Sequence, residues 1–284
     1  MGGIACFEVV VAAPLRHVAV AGNGLTNAAM SLFARFGKSK DSARVARCVP
    51  AGTLVYAIGD IHGRDDQVAD LLGKIDADRS QREHDTAVLI LLGDLVDRGP
   101  DSKKVVERAL GLPARFDRFH YLIGNHEECM MAALGGDVRA LRYFYRIGGD
   151  ATIRSYIGDD QRLAALDFDD LASVFPASVP GHLADFLRQG EDQVEYGDYA
   201  FVHAGVRPGV ALDAQRVSDL RWIREEFLTD TRDHGRCVVH GHSITQAPDD
   251  NPNRLGIDTG AYYSGILTAV VFSGTYRWFL STAA

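Results

Sequence analysis

The chain has 284 residues, 46% of them hydrophobic and 24% charged, with a net charge of −8. That length accommodates one large domain or two small ones around a core that needs no covalent staples. The acidic balance argues against a general binder of nucleic acid or of membrane surfaces. The four cysteines are scattered without a Cys-X-X-Cys pair, which argues against a disulfide framework and for a reducing, cytoplasmic setting.

No span reaches the apolar length of a transmembrane helix. No basic stretch precedes the short apolar piece Phe7–Pro14, so a secretory signal is not expected. Residues 1–45 hold neither a helical nor a strand period and are expected to form a mobile N-terminal extension. Within them, Met30–Phe36 resembles a natural N-terminus, which predicts that translation starts at Met30.

From Thr53 the pattern becomes regular. The apolar run 53–58 predicts a buried strand, and it ends on Gly59-Asp60-Ile61-His62-Gly63-Arg64. A helix near 65–77 follows, with Val68, Leu71, Leu72 and Ile75 on one face. The near-continuous apolar run 87–92 predicts a strand covered on both faces. It ends on Gly93-Asp94-Leu95-Val96-Asp97-Arg98-Gly99-Pro100, and Asp101 or Ser102 can cap a helix over 102–111. A third strand over 118–123 ends on Gly124-Asn125-His126-Glu127. This alternation predicts a parallel core with right-handed crossovers.

Residues 127–190 read as a helical insertion, broken at Gly148-Gly149, Pro176 and Pro180. Short strands then follow over 193–196, 199–203, 236–240, 254–257, 266–272 and 275–280, the last two joined through Gly274 as a hairpin. The expected fold is α/β: one domain over 46–284, with two packed mixed β-sheets flanked by helices.

Five segments end apolar strands with metal-type ligands: Asp60 and His62, Asp94, Asn125, His203 and His240. The steps from Asp60 to Asp94 and from Asp94 to Asn125 each match one βαβ unit of roughly 30 residues. Successive parallel strands therefore deliver these ends to one edge of the sheet. Imidazole, carboxylate and amide donors without thiolate suit Mn²⁺, Fe or Zn²⁺. Six ligands suit two ions with one bridging carboxylate, and Asp94, central among the motifs, is the natural bridge.

The ordered motifs Gly-Asp-Ile-His-Gly-Arg, Gly-Asp-Leu-Val-Asp-Arg-Gly-Pro, Gly-Asn-His-Glu, Val-His-Ala-Gly and His-Gly-His, spread over residues 53–282, resemble the PPP-type serine/threonine phosphatases, in their compact bacterial and phage form, of the calcineurin-like metallophosphoesterase superfamily. The resemblance implies that Asp60, His62 and Asp94 hold one metal, and that Asp94, Asn125, His203 and His240 hold the other. It implies His126 as the acid that protonates the leaving oxygen, Asp97 as its orienting carboxylate, and Arg98 as a phosphate clamp. The second clamp is expected at Arg224, with Arg221 as the other choice, because Trp222-Ile223-Arg224 resembles a Trp-X-Arg segment of the small members. His242 is assigned to the surroundings of the metals and Arg64 and Glu128 to solvent, while Asp258–Tyr263, which follows a strand, is expected to line the pocket, with Tyr262 or Tyr263 either touching substrate or packing in the core or rim.

The implied reaction is hydrolysis of phosphoserine or phosphothreonine by direct attack of a metal-bridging hydroxide, with two Mn²⁺ as the first expectation. The substrate would be a phosphoprotein or a phosphorylated small molecule. The alternative is hydrolysis of a dinucleoside polyphosphate such as diadenosine tetraphosphate. Glu127 leans toward the phosphatase, since the alternative family commonly carries Asp there. A metal-binding protein that has lost catalysis is the remaining class.

Overall fold

The computed structural model describes residues 46–283. The expected N-terminal extension over 1–45 and the start at Met30 lie outside the described residues. Three strands, β1 (Thr53–Ile58), β2 (Thr86–Leu91) and β3 (Arg118–Tyr121), alternate with helices α1 (Asp65–Ser80) and α2 (Ser102–Gly111). β1 pairs parallel with β2, and β2 with β3. The chain later adds β4 (Gln193–Tyr196), β5 (Tyr199–Val202), β6 (Cys237–His240), β7 (Asp249–Asp250), β8 (Arg254–Gly256), β9 (Thr268–Ser273) and β10 (Tyr276–Ser281).

The strands form two five-stranded mixed sheets, ordered β10-β9-β1-β2-β3 and β4-β5-β6-β8-β7. β9 and β10 are antiparallel and joined at Gly274, the hairpin expected there. The fold class is thus α/β with two mixed sheets and flanking helices. The apolar runs of β1 and β2 are continuous because both of their faces are covered. Val55, Ala57, Val88 and Ile90, with Phe272 of β9, face the second sheet, where they meet Phe201, Val239 and Leu255. Leu54, Tyr56, Ile58, Leu89 and Leu91 face the helices. Phe201 and Phe272 cross edge to face at 5.8 Å in the layer between the sheets. Burying each such side chain contributes about 1.5–3 kcal/mol, which chain entropy offsets in part.

A helical layer covers the outer face of the first sheet. It holds α3 (Asn125–Leu134), α4 (Val138–Phe144), a π-helical turn (Tyr145–Gly149) and α5 (Asp150–Ile157), followed by Asp160–Ala164, Phe168–Ser178 and Gly181–Arg188. Phe144 and Phe175 stack at 5.8 Å inside it. Cys129 and Cys237 are buried free thiols, and burial pushes both well up from the ordinary thiol value. Among the described residues no helix is long and apolar enough to cross a membrane.

The loops after β1 and β2 are tied together at the carboxyl edge of the sheet. The amides of Ile61 and His62 donate to the Asp94 carbonyl at 3.1 and 2.8 Å, and that of Gly63 donates to Leu95 at 2.9 Å. The first two motifs are therefore one structural unit, positioned by the parallel pairing beneath them.

Candidate metal centre

Backbone conformation already marks the site. Among the described residues, the non-glycine positions with positive φ are His62, Asp94, Asp97, Arg98 and His242, with φ of 47, 49, 74, 68 and 62°. Each such position costs of order 1–3 kcal/mol and persists only where surrounding contacts enforce it. All five belong to the motif loops, so the strain is concentrated where the side chains must converge.

Glycines let those side chains approach. A Cβ on Gly124 would lie 2.1 Å from Asp94 Oδ1, and one on Gly241 would lie 2.0 Å from Asp60 Oδ1. Either would displace a carboxylate from the centre. Glu127, on the first turn of α3, braces the same loops. Its carboxylate accepts the amides of Gly124 and Asp94 at 2.9 Å each, Leu95 at 2.7 Å and Val96 at 3.3 Å.

At the centre, donor atoms of Asp94, His203 and His242 lie within 4.8 Å of one another, and so do those of His62, Asp94 and His126. Asp94 belongs to both groups. One of its oxygens is 3.5 Å from His62 Nε2 and the other 3.5 Å from His203 Nε2. Asn125 Oδ1 is 3.1 Å from His203 Nε2. Asp60 sits alongside, its two oxygens accepting the His242 amide at 3.1 and 3.0 Å. The structure thus brings Asp60, His62, Asp94, Asn125 and His203 together.

His240 is not among them. Along β6, Cys237 and Val239 face the inter-sheet core, while Val238 faces the outer cluster that contains Phe227. His240 has the parity of Val238, and its ring meets Phe227 at 5.1 Å. Its Nδ1 is 3.0 Å from the Gly241 carbonyl, and the side-chain charges that act on it most are Arg254 and Asp249. Gly241 then turns the chain, and His242 places Nδ1 3.2 Å from His203 Nε2. The structure therefore places His242, and not the expected His240, among the donor atoms of the centre. His242→Ala is expected to remove one equivalent of bound divalent metal and His240→Ala to retain both, measured as metal content after reconstitution. Equal retention by both variants would return the assignment to His240.

The donor set fits divalent cations. His62 and His203 each direct Nδ1 to a backbone carbonyl, Val96 and Leu92 respectively, at 2.8 Å. Those contacts place the proton on Nδ1 and turn the Nε2 lone pair inward, the outer support that metal-binding imidazoles use. Burial holds both imidazoles below their ordinary pKa, so they are neutral donors. His242 is pushed down to about 2 by burial and by His203. Burial and then the neighbouring carboxylates of Asp258 and Asp94 raise Asp60 well above the usual carboxylate range. Buried carboxylates facing neutral imidazole lone pairs constitute a site for positive charge.

Beside the centre, His126 directs Nδ1 to Asp97 Oδ2 at 2.5 Å. Burial and the Arg98 charge lower the His126 pKa, but Asp94 and Asp97 outweigh them and hold it above its ordinary value. Arg98 reaches His62 Nε2 and His126 Nε2 at 2.9 Å each, and its guanidinium lies 4.9 Å over the Tyr262 ring. Arg224 donates to the His242 carbonyl at 3.2 Å, and its charge acts on His203 and His242. Arg221 instead pairs with Asp192 at 2.7 Å and Glu128 at 3.2 Å. Glu128 is accordingly an ion-pair partner rather than a residue left to solvent. Arg64 pairs with Asp66 and anchors the Ala261 carbonyl below Tyr262.

Sequence reasoning placed Asp258–Tyr263 at the pocket but gave Asp258 itself no role; it is a buried carboxylate following β8 whose Oδ2 has no hydrogen-bond partner among the described residues. The same reasoning missed Thr152 and Ser102, which contact Asp97. The signal for Asp258 was available, because Asp258-Thr259-Gly260 follows a strand end as the other motifs do. Thr152 carried no local signal.

A family model described as calcineurin-like phosphoesterase matches residues 53–264. The symmetrical bis(5'-nucleosyl)-tetraphosphatase of Janthinobacterium sp. (strain Marseille) is 34% identical over 157 residues, covering 54% of this chain and 44% of that protein. This chain thus matches less than half the length of that relative. The asymmetrical bis(5'-nucleosyl)-tetraphosphatase PrpE of Halalkalibacterium halodurans is 25% identical over 226 residues, covering 76% of this chain and 88% of that protein. A solved structure provisionally assigned as a diadenosine tetraphosphatase superposes with a TM-score of 0.56 at 21% identity, covering 82% of this chain and 98% of that one, and this likeness bears on the fold alone.

Proposed function

The chain belongs to the calcineurin-like phosphoesterase family, and from that premise we propose that it is a metal-dependent hydrolase whose substrates are dinucleoside polyphosphates. The observation that carries the reaction class is the convergence of Asp60, His62, Asp94, Asn125, His203 and His242 beside the Arg98 guanidinium. The substrate class is supported by relatives named bis(5'-nucleosyl)-tetraphosphatases. This order reverses the expectation of a serine/threonine phosphatase. Glu127, the residue that favoured the phosphatase, spends its carboxylate on four backbone amides of the motif loops.

Asp60, His62 and Asp94 would hold one divalent ion, and Asp94, Asn125, His203 and His242 the other, with Mn²⁺ suited to this oxygen and nitrogen set. When bound, such ions lower the pKa of coordinated water and neutralise phosphoryl charge. The chain's own residues do the rest. Arg98, with Arg224 at the His242 carbonyl, orients the phosphoryl oxygens through charge-assisted hydrogen bonds. His126 gives a proton from Nε2 to the leaving oxygen, while Asp97 holds Nδ1 and favours the charged imidazole. No side chain becomes phosphorylated.

The test is turnover of diadenosine tetraphosphate against a phosphoserine peptide, each with added Mn²⁺. Faster cleavage of the dinucleotide is expected. Faster cleavage of the peptide would restore the protein phosphatase reading. No turnover of either, nor of p-nitrophenyl phosphate, with Mn²⁺, Fe²⁺, Co²⁺ or Zn²⁺ would leave a binding protein.

A further inference from the structure

The helical layer reaches the catalytic edge through one buried hydroxyl. Thr152, on α5, is fully buried. Its Oγ1 is 2.7 Å from Asp97 Oδ1, and it accepts the Asp97 amide at 2.8 Å. Ser102 Oγ, at the start of α2, lies 2.9 Å from Thr152 Oγ1 and accepts the same amide at 3.0 Å. A threonine hydroxyl has one proton and a carboxylate can only accept. Thr152 therefore donates to Asp97, and the Ser102 proton lies between the two hydroxyls. Asp97 Oδ2 is meanwhile committed to His126 Nδ1.

We propose that Thr152 is a positioning residue for His126, acting through Asp97; the inference rests on the reading of His126 as the proton donor. The terminal torsion of an aspartate is broad and roughly two-fold, and Asp97 stands on a left-handed turn with φ of 74°. One hydrogen bond to His126 would leave that carboxylate free to rock about its contact. A second bond, from a hydroxyl fixed on a helix to the other oxygen, fixes the carboxylate plane. That plane sets the tilt of the imidazole and the line along which Nε2 faces the leaving oxygen. A misplacement of about 1 Å at such a distance from the chemistry can cost on the order of 100-fold. A second tie supports the link between this layer and the motif loop, since the Arg98 amide donates to the Gly148 carbonyl at 3.0 Å.

The test compares phenyl phosphate, whose leaving oxygen needs a proton, with p-nitrophenyl phosphate, whose leaving oxygen needs little. Thr152→Val is expected to lower kcat on phenyl phosphate by about 10- to 100-fold and to change p-nitrophenyl phosphate by less than about 3-fold. Metal content should be unchanged, and Thr152→Ser should restore both rates. Thr152→Ala, which suits a helix, serves if the valine variant does not fold. The low-field Nδ1–H proton resonance of His126 provides a readout apart from turnover, and it should shift or broaden in the variant. Equal losses on both esters with an unmoved resonance would make Thr152 merely structural and overturn the inference. No loss on either ester would also overturn it. His126→Asn, measured alongside, separates the two failures: equal losses on both esters in that variant overturn His126 as the proton donor, whereas a loss there confined to phenyl phosphate with none in Thr152→Val overturns only the role of Thr152.

Discussion

Asp94→Asn is expected to release both metal equivalents and to lower turnover by at least about 100-fold, the upper figure for losing an outer support of a metal ligand. The argument is geometric. One oxygen of Asp94 is 3.5 Å from His62 Nε2, and the other is 3.5 Å from His203 Nε2 and accepts the His126 amide at 3.1 Å. No other carboxylate belongs to both donor groups among the described residues. An asparagine keeps the volume but removes the charge, and it turns an N–H₂ toward lone pairs that need a cation. Metal content by elemental analysis and a calorimetric titration with Mn²⁺ would measure the loss. Two full equivalents bound with normal turnover would show that Asp94 does not join the two halves.

Most of the centre was readable because it is built on strand ends. A buried parallel strand gives a continuous apolar run, and its end is marked by a glycine followed by a ligand. Gly59-Asp60, Gly93-Asp94 and Gly124-Asn125 share that form. Gly241-His242 shares it too, so the pattern pointed to His242 rather than His240. The reason for the glycine is steric: beside Gly241 stands Asp60 Oδ1, too close for any Cβ. Strand parity could have decided the same question, but β6 is buried on both faces and its apolar run hides which face each residue takes. Thr152 was illegible for a different reason. Its contact with Asp97 depends on how α5 packs against the loop after β2, and no period or motif in residues 127–190 encodes that meeting. Glu127 was legible as a motif residue, but its direction was not, because a helix start offers a carboxylate either the backbone or the solvent.

His126→Asn is expected to lower kcat by about 10²–10⁴-fold while leaving metal content intact, the range typical of a lost general acid. The separation of these two effects follows from where His126 lies. Its Nε2 is 3.9 Å from Asp94 and 2.9 Å from Arg98, while its Nδ1 is committed to Asp97. It belongs to a donor group with His62 and Asp94, so the alternative is that it binds metal. An imidazole meant as a metal ligand should be neutral, as burial makes His62 and His203. His126 is held the other way, above its ordinary value, because Asp94 and Asp97 outweigh burial. With Nδ1 on Asp97 and Nε2 beside the guanidinium expected to clamp the phosphoryl group, His126 is placed toward the substrate's side of the centre, where proton donation suits it better than coordination. Asparagine can keep a hydrogen bond to Asp97 but has no transferable proton at that acidity. The loss should therefore be deepest for leaving groups that most need protonation and shallow for p-nitrophenyl phosphate. Loss of a metal equivalent in this variant would move His126 into the ligand set, and an unchanged rate on phenyl phosphate would end its role as the acid.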